Sequence, residues 1–126
     1  MAKKVMIVDD SKTIRSSVEY TLSKDGYEVV KAEDGKEGLE KLEGFNSKQE
    51  RPEMIITDIN MPNMGGIEFI TEVKDKSGLK FIPILVLTTE SQDKMKEKGK
   101  EAGAAGWLVK PFDPQQLIEV VEKFVK

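Results

Sequence analysis

Five residues with chemistry to offer stand where short apolar runs end. Asp9 and Asp10 follow Val5 to Val8, Asp58 closes the run that begins at Met54, Thr88 follows Ile82 to Leu87, and Lys110 follows Trp107 to Val109. Two unit charges ~4 Å apart repel by about 4 kcal/mol at an effective dielectric of 20, so Asp9, Asp10 and Asp58 gathered on one edge call for a cation. The chain has no Cys and no His, and a hard oxygen set without them favours magnesium over zinc. Magnesium takes one or two carboxylates, several waters and a phosphate, so a phosphoryl group is implied. Lys110 offers a point positive charge to a phosphoryl oxygen or a carboxylate, and Thr88 adds a hydroxyl. Asp58, flanked by Thr57 and Ile59, is the best nucleophile candidate. A carboxylate attacking phosphorus, with metal and lysine neutralising the equatorial oxygens, needs no imidazole or thiolate on the same chain. Each residue also has a plainer reading: Asp10 or Ser11 as a helix N-cap, Thr88 as a turn residue, Lys110 as a solvated lysine. Their convergence is what sets those readings aside.

Convergence requires a particular scaffold. The runs Val5 to Val8, Val29-Val30, Met54 to Ile56, Ile82 to Leu87 and Trp107 to Val109 are short, β-branched-rich and non-alternating, the pattern of parallel strands buried on both faces. Between them the apolar period turns helical: Ile14, Val18 and Leu22; Leu39 and Leu42; Ile67, Ile70 and Val73; Leu117, Val120, Val121 and Phe124. The fourth helical stretch, Gln92 to Ala102, has only Met95, Gly99 and Ala102 for an inner face, so its packing is expected to be adjustable. Gly26, Gly78 and Gly103 stand where helices 1, 3 and 4 should stop, and Asp113-Pro114 opens the last helix. Gly44 to Glu53 reads as a surface loop, polar apart from Phe45. Five βα units make an α/β fold, a three-layer α/β/α sandwich on a five-stranded parallel sheet, whose ligands belong at the carboxyl ends of the strands.

Composition bounds the rest. The 126 residues suit one domain, 1–126, and the charged fraction of 34 % with apolar runs such as Ile82 to Leu87, far short of about 18 residues, excludes a transmembrane segment. The start lacks the apolar segment and cleavage site of a signal peptide, so a cytoplasmic protein is expected. The net charge of -3 splits unevenly, with 13 basic against 17 acidic residues in 1–91 and 7 against 6 in 92–126, and neither part gives a nucleic-acid footprint.

Four motifs resemble, in order and spacing, the receiver domains of two-component response regulators over essentially the whole chain. They are Val8-Asp9-Asp10-Ser11, Thr57-Asp58-Ile59-Asn60-Met61-Pro62, Leu87-Thr88-Thr89-Glu90-Ser91 and Val109-Lys110-Pro111-Phe112. Within that family the resemblance is strongest to the stand-alone chemotaxis regulators, in Met61-Pro62-Asn63-Met64 and in Lys98 to Ala104 with Gly106-Trp107. The resemblance implies the flavodoxin-like strand order 2-1-3-4-5 and Asp58 as phospho-acceptor. It implies a magnesium ion ligated by Asp10, Asp58 and the backbone carbonyl of Asn60, with Asp9 helping through water. Lys110 would pair with the phosphoryl group across a cis Lys110-Pro111 bond, and Thr88 would swing towards a phosphoryl oxygen. Trp107 would follow inward as the switch aromatic, and Asn60 and Glu90 would tune hydrolysis of the aspartyl phosphate.

Three departures stand out. Trp107 replaces the commoner Tyr or Phe and needs more room and a partner for its N–H. Thr89 is larger than the small residue often found beside the acceptor, and Gly65 replaces the usual Asp or Asn before Gly66. The resemblance further implies a histidine kinase upstream, a phosphatase as a further partner, and a flagellar motor switch protein as target of a monomer that touches neither membrane nor nucleic acid. Helix 4, strand 5 and helix 5 would form the output face, with Ile118 and Val125 off the main apolar stripe and Lys94, Lys96, Lys98 and Lys100 around it. Since the chain ends just after helix 5, no output domain is expected, and the protein is expected to be a signalling domain rather than an enzyme. The alternatives are a phosphorelay shuttle to a histidine phosphotransfer protein, an aspartate-nucleophile phosphatase, which wants an acid where Asn60 stands, and a flavodoxin-like cofactor binder, which wants a phosphate-cradling loop where Asp9 and Asp10 stand.

Overall fold

Burial explains the strand runs. In the computed structural model, which describes residues 3–45, 47 and 49–125, five strands are each followed by a helix. In chain order these are β1 (Lys4–Val8), α1 (Lys12–Lys24), β2 (Glu28–Ala32), α2 (Gly35–Gly44), β3 (Met54–Thr57), α3 (Gly66–Lys74), β4 (Ile84–Thr88), α4 (Asp93–Ala102), β5 (Gly106–Val109) and α5 (Pro114–Phe124). The strands pair in parallel in the order β2-β1-β3-β4-β5, as expected. Alternate residues along the central strands feed two cores. Met6, Val8, Ile55, Ile84 and Val86 join Leu42 of α2 and Phe69, Ile70 and Val73 of α3 on one face. Val5, Ile7, Met54, Ile56, Leu85 and Leu87 join Val18 and Leu22 of α1 and Leu117 and Val121 of α5 on the other. With both faces covered, no strand needs a polar side.

Most helix ends follow local chemistry, although α3 and α4 both begin without a side-chain cap. Ser11 caps α1 by accepting from the Ile14 N–H at 3.2 Å, so Ser11 and not Asp10 is the N-cap, and Asp10 is left exposed. Asp113 caps α5 ahead of Pro114. Gly103, at φ +119°, ends α4 in the left-handed region that a side chain resists. Gly78 does not end α3: that helix stops at Lys74 with Asp75 as its C-cap. A β-carbon at Gly78 would lie 3.0 Å from Arg51 Nη1, so a packing need put the glycine there. As Gly65 foreshadowed, α3 begins without a side-chain cap. The α2–β3 connection is a surface loop in which Phe45 is half-buried beneath Lys4 Nζ, 4.9 Å from the ring centre; Asn46 and Lys48 of that expected loop lie outside the described residues.

Two corrections concern α5 and β3. Val125 is only 4 % exposed and belongs to the second core, where its N–H donates to the Val121 carbonyl, so it cannot serve an output face. Ile118 is half-buried and lines a groove with Tyr20 of α1, on the side of α5 turned towards α1. The strand β3 ends at Thr57, so Asp58 is the first residue beyond it, although its N–H extends the ladder to the Val8 carbonyl at 3.0 Å.

One clamp ties two loops together below the site. Asp34 accepts from the Glu37 N–H at 2.8 Å, capping α2, and from Asn63 Nδ2 at 2.7 Å, while Asn63 sits at φ +65°. The Glu37 and Asn63 hydrogen bonds hold the Asp34 carboxyl below the usual carboxylate range. A depressed folded-state pKa contributes stability that is present above the unfolded-state value and lost as pH falls through the folded one. Asp34→Ala should therefore cost about 1 kcal/mol near neutral pH. Urea denaturation at stepped pH should show the deficit shrinking under acid, and a pH-independent deficit would contradict the assignment.

Candidate functional site

Parallel pairing brings the strand ends to one edge, and the polar residues follow. Asp9 leaves β1 wholly buried, held by its own N–H on the Ala32 carbonyl at 3.1 Å and by a carboxylate oxygen that accepts from the Ser11 N–H at 2.9 Å. Asp58 is 7 % exposed, and its Oδ1 accepts from the Ile59 N–H at 2.6 Å. Asp10 is exposed beside them, and ligand oxygens of Asp9, Asp10 and Asp58 all lie within 4.8 Å of one another. Lys110, just past β5 on a cis Lys110–Pro111 peptide, donates to Asp9 Oδ2 at 2.8 Å and to Asp58 Oδ2 at 2.9 Å. Its ammonium therefore bridges two of the three carboxylates.

Burial dominates at Asp9 and raises its pKa, even though the Lys110 and Ser11 hydrogen bonds pull the other way. At Lys110 burial works against the charged form, but the hydrogen bonds and charges of Asp9 and Asp58 outweigh it and the pKa rises. The two directions describe one ion pair sunk below the surface: the wholly buried carboxylate bears the desolvation, and the ammonium keeps its proton between two acids.

Around this centre, Thr88 closes β4 fully buried, with Oγ1 accepting from the Glu90 N–H at 3.3 Å. The Glu90 carbonyl in turn accepts from Trp107 Nε1 at 2.9 Å. The tryptophan thus has the N–H partner its size demands, and it is already half-buried against the first core. Its room comes from Gly99 of α4, where a β-carbon would lie 2.8 Å from Trp107 Cζ3. Asn60 and Thr89 are both exposed at the same edge. Gly66 fixes the acceptor from beneath, since a β-carbon there would fall 2.1 Å from the Asp58 carbonyl oxygen.

Sequence reasoning did not reach Arg15, whose Nη1 donates to the Asp9 carbonyl at 2.6 Å from a side chain only 12 % exposed. Arg15 and Arg51 are the only arginines among 20 cationic residues, and an arginine chosen where lysine is the habit was the available signal. The clamp between Asp34 and Asn63 also went unread, because it joins residues 29 apart.

The donor set fits magnesium. Three carboxylates converge without thiolate or imidazole, one is exposed and able to reach an ion, and one lysine leaves the cluster with a net negative charge. Such a cluster can hold a divalent ion and present Asp58 as a nucleophile whose product, an acyl phosphate, finds Lys110 and Thr88 at hand.

Comparison with known proteins places these features. The chain matches the response regulator receiver domain family over residues 5–122. It is 41 % identical over 120 residues to the chemotaxis protein CheY1 of Helicobacter pylori, covering 94 % of each chain. It is 37 % identical over 117 residues to the alkaline phosphatase synthesis transcriptional regulatory protein PhoP of Bacillus subtilis, covering 93 % of this chain and 46 % of that one. Among solved structures, the chemotaxis response regulator CheY4 of Vibrio cholerae superposes with a TM-score of 0.89 at 46 % identity, covering 98 % of this chain and 99 % of that one.

Magnesium should raise the thermal midpoint, since an ion that binds only the folded chain stabilises it by mass action. Asp10→Ala should abolish that shift and stabilise the metal-free protein by up to about 1 kcal/mol through lost repulsion. Calorimetric titration with magnesium checks both, and undiminished affinity in the variant would make the acid cluster merely structural.

Proposed function

Because the chain belongs to the response regulator receiver domain family, we propose that it is a phosphorylation-activated switch in which Asp58 takes a phosphoryl group from a phosphohistidine on a histidine kinase. The observation that carries this reading is the Lys110 ammonium set between Asp9 and Asp58 within a three-carboxylate cluster. Asp58 Oδ attacks phosphorus, the P–N bond to the partner's imidazole breaks, and the acyl phosphate forms on this chain. Asp10, Asp58 and the backbone carbonyl of Asn60 would hold magnesium, with Asp9 acting through water, and the ion would supply positive charge against the phosphoryl oxygens. Lys110 exchanges its contact with the Asp58 carboxylate for one with the phosphoryl group. Hydrolysis returns the carboxylate and releases inorganic phosphate, with Asn60 and Glu90 flanking the path of the attacking water. The chain is a signalling domain that catalyses its own phosphotransfer and dephosphorylation.

The switch runs through bonds already in place. A phosphoryl group adds about -1.5 to -2 of charge, and the Thr88 hydroxyl can donate to it while still accepting from the Glu90 N–H. Glu90 holds Trp107 through its carbonyl, and Trp107 packs on Gly99, so a movement at Thr88 reaches α4. Gly99 is the one fully buried residue of α4, with Met95 and Ala102 partly buried against the first core. The output surface is α4, β5 and α5. The chemotaxis relatives support a chemotaxis role for this chain; in the role proposed, its target is the flagellar motor switch and a phosphatase is a further partner. No helix among the described residues is long and apolar enough to cross a membrane, and a cytoplasmic monomer formed of a single receiver domain fits that role.

Two variants test the coupling. Asp58→Asn should fold normally and lose all phosphorylation, whereas Lys110→Ala should still be labelled and fail to change its partner affinity. Immobilised protein activated with magnesium and beryllofluoride should retain a flagellar switch protein that Asp58→Asn does not. Retention of a histidine phosphotransfer protein instead would reassign the chain to a phosphorelay. Gly99→Ala should shift the emission of Trp107, the only tryptophan, before any phosphorylation. Unchanged emission with normal activation would contradict the Gly99 contact as part of the switch.

A further inference from the structure

The loop that leaves β3 carries Asp58 at its start and Asn60 two residues on, and the two are held very differently. Asp58 is fixed where it stands: its N–H bonds to the Val8 carbonyl at 3.0 Å, its Oδ1 accepts from the Ile59 N–H at 2.6 Å, and the Ile59 carbonyl accepts from the Gly66 N–H at 2.8 Å. Asn60 and Met61 make no hydrogen bond among the described residues. The place of the Asn60 carbonyl is therefore set by the two ends of the span that contains it.

The far end of that span is a tight turn. The Met64 N–H donates to the Pro62 carbonyl at 2.6 Å, closing a three-residue turn centred on Asn63, whose φ of +65° glycine would adopt more readily. Another residue persists in such a conformation when its surroundings over-determine it. Here the surroundings are the β2–α2 turn. Asn63 Nδ2 donates to Asp34 Oδ2 at 2.7 Å, and the Gly35 N–H donates to the Met64 carbonyl at 3.2 Å. The two turns approach so closely that a β-carbon on Gly35 would lie 2.9 Å from that carbonyl oxygen. Asp34 is itself held, 9 % exposed with its other carboxylate oxygen accepting from the Glu37 N–H at the start of α2. An asparagine where glycine would turn more easily, with its amide committed to a buried carboxylate, grips the loop from outside.

We propose that Asn63, gripped by Asp34, is a positioning residue for the magnesium site, fixing the loop that must present the Asn60 carbonyl together with Asp10 and Asp58. The proposal rests on the reading of Asn60 as a backbone ligand. Asn63 and Asp34 act on metal affinity through the loop, as the residues that support a ligand do.

Exchanging donor and acceptor tests this, with calorimetric titration of magnesium as the readout. Asn63→Asp sets two carboxylates against each other and should weaken magnesium binding about tenfold, the loss usual for a residue that supports a ligand. Added negative charge alone would tighten binding, so the sign separates the clamp from simple electrostatics. The double variant Asp34→Asn/Asn63→Asp restores the hydrogen bond at the parent's net charge, keeps an acceptor for the Glu37 N–H, and should return the affinity to that of the unsubstituted protein. Asn63→Gly, which accepts the turn but has no amide, should also weaken binding. In the unsubstituted protein, magnesium should shift the carbonyl carbon resonance of Asn60. Unchanged or tighter binding in Asn63→Asp or Asn63→Gly, or a double variant no tighter than Asn63→Asp, overturns the proposal and leaves the acid cluster as the metal site. Magnesium binding that leaves the Asn60 resonance unmoved, or no binding by the unsubstituted protein, overturns the reading of the site and the proposal with it.

Discussion

Three carboxylates forced together at the carboxyl edge of a parallel sheet cannot rest there unaided. Asp9 is wholly buried and Asp58 nearly so, and among the described residues Lys110 is the only cation bonded to both. That arrangement determines much else. The ammonium neutralises enough charge for the fold to persist, yet it leaves two of the cluster's three negative charges uncompensated, which is the condition for drawing in a divalent ion. It also sits where a phosphoryl group on Asp58 would need a positive partner. An ion pair of this kind is weak support for stability, because desolvation consumes most of the Coulombic gain. Its value lies in being exchangeable: Lys110 can trade one anionic partner for another at small net cost.

The frame that permits this is stiff where the chemistry is and loose where the signal leaves. Gly66 brings the start of α3 to within side-chain-forbidding distance of the Asp58 carbonyl, and Ser11 and Arg15 fix the Asp9 carboxylate and carbonyl from α1. By contrast α4 buries a single glycine, and Trp107 rests on it while hydrogen-bonded to the loop that begins at Thr88. A population shift needs two arrangements within a few kcal/mol of each other, and a helix whose only fully buried residue is a glycine is the element proposed to supply the second. The tryptophan is already half-buried with its N–H satisfied, so in the proposed switch its inward contacts are in place beforehand.

Much of this was legible in the residues themselves. Non-alternating apolar runs give the parallel sheet, since burial on both faces removes the polar alternation, and the polar residue ending each run falls on one edge because parallel strands all end there. The strand order was not contained in periodicity and came from the family resemblance. What escaped depends on contacts between distant residues. Gly78 looked like a helix stop, but the space it provides is for Arg51, 27 residues away. Val125 looked exposed because a helical stripe was extended past Phe124, where α5 has ended and the chain turns into the core. Ser11 rather than Asp10 proved to be the cap, which frees Asp10 for the cluster.

The direct test of the account is to find where phosphate goes. The protein, incubated with magnesium and a small acyl phosphate donor, would be treated with borohydride to reduce the acyl phosphate, digested, and read by mass spectrometry. The account predicts a single modified carboxyl, at Asp58, dependent on magnesium and absent when the metal is chelated. Modification at Asp9, Asp10 or another acid, or labelling indifferent to the metal, would contradict it.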